Sequence, residues 1–149
     1  MEKPQLIVSG NDHFSDEELF DLSDTLSSVF DVKTYRFEEY VADELIPYLR
    51  LIFNNPITKG FLQTIGRDLW DSIKKKIANI AVKKKIESDV EFRFENEKMN
   101  ISFRCRSNTP EVIESAFDKV IDVLKIVEQS KQREAQFIFN VVTNKWEVV

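Results

Sequence analysis

The stretch DVEFRFENEKMNISFRCR, residues 89–106, decides the fold, because apolar and polar side chains alternate on both sides of a turn at 96–98. Alternation with a period of two is typical of β-strands that bury one face and solvate the other. The stretch therefore predicts an antiparallel hairpin with one solvated face. The charged side chains expected to pair across the strands on that face are Glu91, Arg93, Glu95, Arg104 and Arg106.

The N-terminal part of the chain predicts a strand, a helix and a second strand. Residues 5–9 are a short apolar run, which indicates a buried strand. Ser15 and Glu18 have the spacing of a capping box, so a helix is expected to begin there. Residues 32–40 are rich in β-formers. Two strands joined through a helix favour parallel pairing.

Two further helices are predicted before the hairpin. The first runs from Asp43 to Phe53, and the second begins within 58–60 and ends near Val82. The second helix has an apolar stripe at helical spacing that includes Trp70, so this side chain is expected in the core. Gly66 lies in the same stripe and is expected to allow close approach of another backbone.

The C-terminal part predicts a helix and a second hairpin. A helix is expected to begin at Pro110, and strands are expected at 135–142 and 146–149. The predicted order along the chain is therefore β-α-β-α-α-β-β-α-β-β. We expect a single α+β domain over residues 1–149, with a mixed sheet of about six strands and helices packed mainly on one face.

Charge is unevenly distributed along the chain, whose formal net charge is −5. Residues 1–50 hold 4 basic and 12 acidic side chains, a net of −8, whereas residues 51–90 hold 8 and 4, a net of +4. The leading hypothesis is a non-enzymatic interaction module whose acidic N-terminal part binds a basic protein partner. The predicted contact residues are Glu17, Asp21, Asp24 and Asp31.

The lysines of the positive segment support an alternative hypothesis. Two lysine triplets lie within residues 59–85, and they would serve a binder of nucleic acid or of another anionic surface. The candidate residues are Lys74, Lys75, Lys83 and Lys84. The simpler interpretation is a solvated helix end, which the helix dipole favours.

A third hypothesis concerns the loop after the first strand. Ligands of βαβ units gather beyond the carboxyl ends of strands, where Asp12, His13 and Asp16 could hold a metal or a small ligand. An ordinary capped loop is the competing interpretation. His13 is the only histidine, so a Ser/His/Asp triad would have to include it. Cys105 is expected to be a small buried hydrophobe rather than a nucleophile. No cofactor is expected.

Cysteine content and hydropathy favour a cytoplasmic protein. The single cysteine cannot form an intrachain disulfide, so nothing marks an oxidising compartment. No uncharged apolar stretch approaches the ~18–20 residues that span a bilayer, so no membrane span is expected.

The residues Gly66, Asp68, Trp70 and Lys74 form a Gly-x-Asp-x-Trp-x3-Lys pattern. This pattern resembles a helix of small uncharacterised bacterial proteins, in which it follows a short apolar helix and precedes β-strands. The resemblance implies a bacterial origin and a soluble α+β domain. Some such acidic proteins are toxin-immunity or defence components. The resemblance names no activity, so no functional residue is carried over.

Overall fold

The computed structural model describes residues 5–36, 46–54, 66–82, 87–96, 99–130 and 133–149. The strands are β1 (Gln5–Gly10), β2 (Asp31–Arg36), β3 (Tyr48–Phe53), β4 (Ser88–Asn96), β5 (Met99–Ser107), β6 (Glu134–Asn140) and β7 (Lys145–Val148). The helices are α1 (Asp16–Leu26), α2 (Arg67–Val82), α3 (Pro110–Asp118) and α4 (Val120–Gln129). Within these ranges, no helix has the length and apolar character needed to cross a membrane.

The strands form one mixed sheet in the order β2-β1-β3-β4-β5-β6-β7. Strand β1 pairs parallel with β2, as the strand–helix–strand pattern predicts, and antiparallel with β3. The pairs β3/β4 and β5/β6 are parallel, whereas β4/β5 and β6/β7 are antiparallel. The predicted α+β class is confirmed, and the described residues form seven strands rather than about six.

The predicted hairpin forms the centre of the sheet. Strands β4 and β5 pair from Ser88 opposite Ser107 to Asn96 opposite Met99, and Phe92 lies opposite Phe103. Its inward-facing side chains belong to the same core as the apolar side chains of the helices. We call this side of the sheet the inner face and the opposite side the outer face.

Aromatic side chains dominate the core. Trp70 of α2 is fully buried, which confirms the prediction, and its ring centroid lies 5.6 Å from that of Phe92. The Phe92 ring in turn stacks on Phe117 of α3 at 4.1 Å. Burying one such side chain contributes about 1.5–3 kcal/mol, so these contacts hold the helices on the inner face.

The helix predicted from Asp43 to Phe53 is wrong over Tyr48–Phe53, which form β3. Residues 43–45 lie outside the described part of the chain. Strand β3 lies between β1 and β4, and both of its faces are largely covered, so its sequence is a short apolar run without clear alternation. Such a run does not distinguish a strand from a buried helix by periodicity. Pro47 favours the strand, because proline is tolerated just before one but disrupts a helix interior.

The sequence signals predict the beginning of α1 correctly but not that of α2. At α1, the amide of Glu18 donates to Ser15 Oγ at 3.1 Å, and Glu18 Oε1 accepts from the Ser15 amide at 2.9 Å. The predicted capping box is therefore confirmed. The described part of α2 runs from Arg67 to Val82, and the chain directly after Val82 lies outside the described residues, so the predicted end stays a prediction. The predicted helix that runs unbroken from 58–60 is wrong at Gly66, which precedes α2 and has a φ of +87°.

Gly66 has a different role from the one predicted. Among the described residues, a Cβ atom built there would meet no heavy atom within 4 Å, so none of their backbones packs closely against it. Its φ is +87°, a left-handed conformation that favours glycine. Its carbonyl accepts the Trp70 amide at 3.1 Å. The glycine therefore permits the turn that begins α2.

The helix predicted from Pro110 is divided into two. Helix α3 begins at Pro110, as expected, but it ends at Asp118, and α4 begins at Val120. The Lys119 amide between them bonds to the carbonyls of Ser115 and Ala116. One apolar stripe continues through both helices, so periodicity alone does not reveal the break.

Candidate functional site: three charged surfaces

The exposed side of α1 combines an aromatic ring with acidic groups. Glu17, Phe20, Asp21 and Asp24 lie three or four residues apart, so they share one side of the helix. All four are exposed, and Phe20 is 70 % exposed. We call these four residues the acidic α1 face. Asp31, the fourth predicted acidic contact, is exposed at the first residue of β2.

Asp21 is the member of this face that already has a basic partner. Lys76 Nζ of α2 lies 3.1 Å from Asp21 Oδ2 and donates to Thr25 Oγ1 at 2.6 Å. Within the described residues, Glu17 and Asp24 form no ion pair, and they present their carboxylates to solvent. The face therefore keeps most of its negative charge.

The predicted lysine surface does not form as one patch. Lys74 is buried, and its Nζ lies 2.6 Å from Asp118 Oδ1 and 3.0 Å from Asp71 Oδ1. Lys74 therefore links α2 to α3 and is not available to an external anion. Lys75 is exposed. Lys83 and Lys84 lie outside the described residues.

Two of the three candidate metal ligands, Asp12 and Asp16, pair with Arg36. Arg36 Nη1 lies 3.4 Å from Asp12 Oδ1, and Arg36 Nη2 pairs with Asp16. The hydrogen bond to Asp16 raises the pKa of Arg36. The amide of His13 donates to Asn11 Oδ1 at 3.3 Å. No group of three or more acidic, histidine or cysteine side chains suited to a metal occurs in the described ranges. The Arg36 guanidinium therefore occupies the position beside Asp12 and Asp16 in which a metal ion would have to bind.

A third charged surface lies on the outer face across β3, β4 and β5. Tyr48 and Arg50 belong to β3, the strand that the sequence pattern predicts as part of a helix. We call the following residues the outer-face cluster: Tyr48, Arg50, Asp89, Glu91, Arg93, Arg104 and Arg106.

Glu91 is the centre of one half of the cluster. The Tyr48 hydroxyl donates to Glu91 Oε1 at 2.7 Å. Arg50 Nε and Arg93 Nη2 lie 3.1 Å and 2.9 Å from Glu91 Oε2. Burial first, and then the Glu91 carboxylate, raises the pKa of Tyr48. The hydroxyl therefore stays protonated and continues to donate.

Asp89 is the centre of the other half. Its side chain is 1 % exposed, and Oδ2 accepts from Arg104 Nε at 2.7 Å and from Arg106 Nη2 at 3.3 Å. The Arg104 guanidinium also lies 5.0 Å from the centroid of the Tyr48 ring. The hydrogen bond to Asp89 raises the pKa of Arg104 still further above its ordinary value. Two buried carboxylates thus orient four guanidinium groups.

The cross-strand pairing differs from the prediction. Arg104 lies opposite Glu91 in register, but its side chain reaches diagonally to Asp89, while Glu91 pairs with Arg50 of the neighbouring strand. The hairpin's polar face is also less solvated than predicted, because Asp89 and Glu91 are buried. The sequence does indicate that Asp89 lies on this face, because residues 89, 91 and 93 point to the same side of a strand. The contact between Arg50 and Glu91 can be predicted only if residues 48–53 are recognised as a strand.

Cys105 lies on the inner face and is fully buried, as expected. Burial raises the pKa of its thiol to about 12, with a smaller effect from Asp89. The thiolate needed for nucleophilic chemistry is therefore scarce at neutral pH.

Comparisons of the chain with protein-family models, curated proteins and solved structures gave no match.

Proposed function

We propose that the protein is a non-enzymatic interaction module that binds a basic protein segment through the acidic α1 face. The single observation that supports this proposal most strongly is the exposed Phe20 ring surrounded by carboxylates. An aromatic anchor within a polar rim is the usual composition of an energetically important contact. The cytoplasmic location and the defence role suggested by the sequence stay predictions.

The charge of the acidic α1 face indicates which side chains a partner would present to it. Glu17 and Asp24 favour lysine or arginine on the opposing surface, and Phe20 favours an apolar side chain between them. The net charge of −8 over residues 1–50 would speed association with a basic partner. Because exposed charges are screened by salt, this binding should weaken as ionic strength rises.

The helix is held rigidly enough to present this face. Leu19, Leu22 and Leu26 are buried on its inner side, and the capping box fixes its first turn. The Phe20 ring therefore stands on a helix already ordered before binding, so little ordering is needed on this side of the contact. Burial of the ring would contribute about 1.5–3 kcal/mol to the complex.

The test is a selection of phage-displayed random peptides on the full chain at low ionic strength. We expect selected peptides rich in lysine and arginine, with an apolar residue. Phe20→Ala should weaken their binding about tenfold or more, which corresponds to loss of a contact residue. Asp24→Lys should weaken it as well. The matched controls are Val142→Ala, which truncates another exposed apolar side chain, and Glu134→Lys, which reverses another exposed carboxylate.

Two results would overturn the proposal. One is selection of neutral or acidic peptides whose binding is unchanged by Phe20→Ala and Asp24→Lys. The other is a concentration-dependent dimer, measured by sedimentation, that Phe20→Ala abolishes, because the occupant of the face would then be a second copy of the chain.

A further inference from the structure

The outer-face cluster holds more positive than negative charge. Its charged members are Arg50, Arg93, Arg104 and Arg106 against Asp89 and Glu91, so two positive charges are in excess. Glu95, which lies 4.0 Å from Arg93 at the edge of the cluster, offsets one of them. The two central carboxylates are buried beneath the guanidinium groups and are not presented to a ligand.

Arg104 and Arg106 are both oriented and accessible. Their side chains are 40 % and 46 % exposed, although both bond to Asp89. They are alternate residues of β5, so their backbones lie about 6.6–6.8 Å apart along the strand. A guanidinium matches the oxygens of phosphate or carboxylate with parallel hydrogen bonds. Because the folded chain already orders these groups, a ligand would not have to do so.

Tyr35 adds an exposed aromatic ring to the same side of the sheet. It lies opposite Ser9 in the β2/β1 pairing, and Ser9 lies opposite Arg50 in the β1/β3 pairing. Tyr35 therefore points to the outer face, where it is 52 % exposed. Two strand spacings, about 10 Å in total, separate Tyr35 from Arg50, and only the short Ser9 side chain lies between them.

The ring and the arginines together favour single-stranded nucleic acid over an acidic peptide. A tyrosine ring stacks on any base, and sheet faces with aromatic rings beside basic residues bind single strands in this way. An acidic peptide would use the guanidinium groups but would gain little from Tyr35. Arg104 lies in the same row of the register, two strands beyond Arg50, so four strand spacings, about 19 Å, separate its backbone from that of Tyr35. One nucleotide is too short to span that distance, whereas a single strand of several nucleotides can span it.

We propose that the outer face binds single-stranded nucleic acid, with Arg104 and Arg106 on one phosphate and Tyr35 on the base of a different nucleotide. The helices pack on the opposite side of the sheet, so this site is independent of the acidic α1 face. It also differs from the predicted lysine surface, in which Lys74 is buried.

Fluorescence anisotropy with labelled oligo-dT and oligo-rU at low salt tests the site, and calorimetry with UMP and inorganic phosphate separates the ligand sources. Arg106→Gln should weaken oligonucleotide binding about five- to tenfold and reduce the slope of log affinity against log salt by about 1. Tyr35→Ala should weaken it about fivefold or more. Arg106→Lys, which keeps the charge, should recover part of the loss.

Lys75→Gln is the matched control, because it removes one exposed positive charge from α2 on the other side of the sheet. Arginine-dependent binding that is tighter for the oligonucleotides than for UMP or inorganic phosphate supports a strand that contacts both Tyr35 and the arginines, and equally tight binding of UMP would contradict it. The proposal is overturned if Lys75→Gln matches Arg106→Gln, if polyglutamate binds as tightly as oligonucleotide, or if no phosphate probe binds at low salt. Urea unfolding of each variant verifies that it is folded.

Discussion

Replacing Arg104 with methionine should destabilise the protein, and replacing Asp89 with asparagine in that variant should restore part of the loss. In Arg104→Met, the carboxylate of Asp89 stays buried, and only Arg106 remains near it, at 3.3 Å. Removing one partner of a buried ion pair costs about 3–5 kcal/mol. Because Arg106 remains, we expect a loss of about 2–4 kcal/mol in the free energy of unfolding.

Asp89→Asn should lower the free energy of unfolding of the wild-type chain but raise that of the Arg104→Met variant. In the wild-type chain it weakens two charge-assisted hydrogen bonds, and the cost is limited to about 1–2 kcal/mol because both arginines are well exposed. In Arg104→Met it removes a poorly compensated buried charge, so it should stabilise by about 1–2 kcal/mol. The coupling energy between the two positions is then about 3 kcal/mol.

Urea unfolding followed by tryptophan fluorescence measures all four proteins, because Trp70 is fully buried in the folded chain. Thermal melting gives a second measure, and Arg104→Met should lower the melting temperature by about 5–10 °C. Equal destabilisation by Asp89→Asn in both backgrounds would refute the reasoning, since Asp89 would then not be a buried charge that needs Arg104.

Three further predictions concern the rest of the fold. Ser15→Ala removes the capping hydroxyl of α1 and should lower the free energy of unfolding by about 1 kcal/mol in urea titrations, whereas no change would contradict the capping box. Gly66→Ala places a side chain at φ +87° and should cost about 1–2 kcal/mol by the same measurement, although there is space for the methyl group. Burial raises the pKa of Cys105 from 9.0 to about 12, so its contribution to stability is complete below pH 9 and is lost as pH rises to 12. Over those three pH units the free energy of unfolding should fall by about 4 kcal/mol because of this thiol. In Cys105→Ala, the free energy of unfolding should therefore fall less steeply between pH 9 and 12 in urea titrations.

Local signals in the sequence predicted the elements that local physics determines. The hairpin at 89–106 has strict alternation, and the first turn of α1 has a complete capping box. Both elements form as predicted, because each signal depends only on residues close in sequence.

Strand β3 depended on information that is not local. Its residues are buried or half-buried on both faces, so the alternation that identifies a half-buried strand is weak there. This single error also concealed half of the outer-face cluster. Without β3, nothing indicates that Arg50 and Tyr48 contact Glu91, and Glu91 seemed to be a solvated residue of the hairpin.

The candidate surface on α1 was only partly visible in the sequence. The acidic stripe was predicted, but Phe20 was not recognised within it, although it is out of phase with Leu19, Leu22 and Leu26. A large apolar residue on the charged side of an amphipathic helix is a usable signal. Its significance depends on its exposure, which requires the structure.

The most direct test of the proposed function is a titration of the uniformly ¹⁵N-labelled chain with the tightest selected basic peptide, followed by ¹H–¹⁵N correlation spectra. Chemical-shift changes at low peptide concentration should concentrate on residues 16–26 and fall sharply in Phe20→Ala. Changes concentrated elsewhere on the described surface, or equal changes in Phe20→Ala, would contradict it.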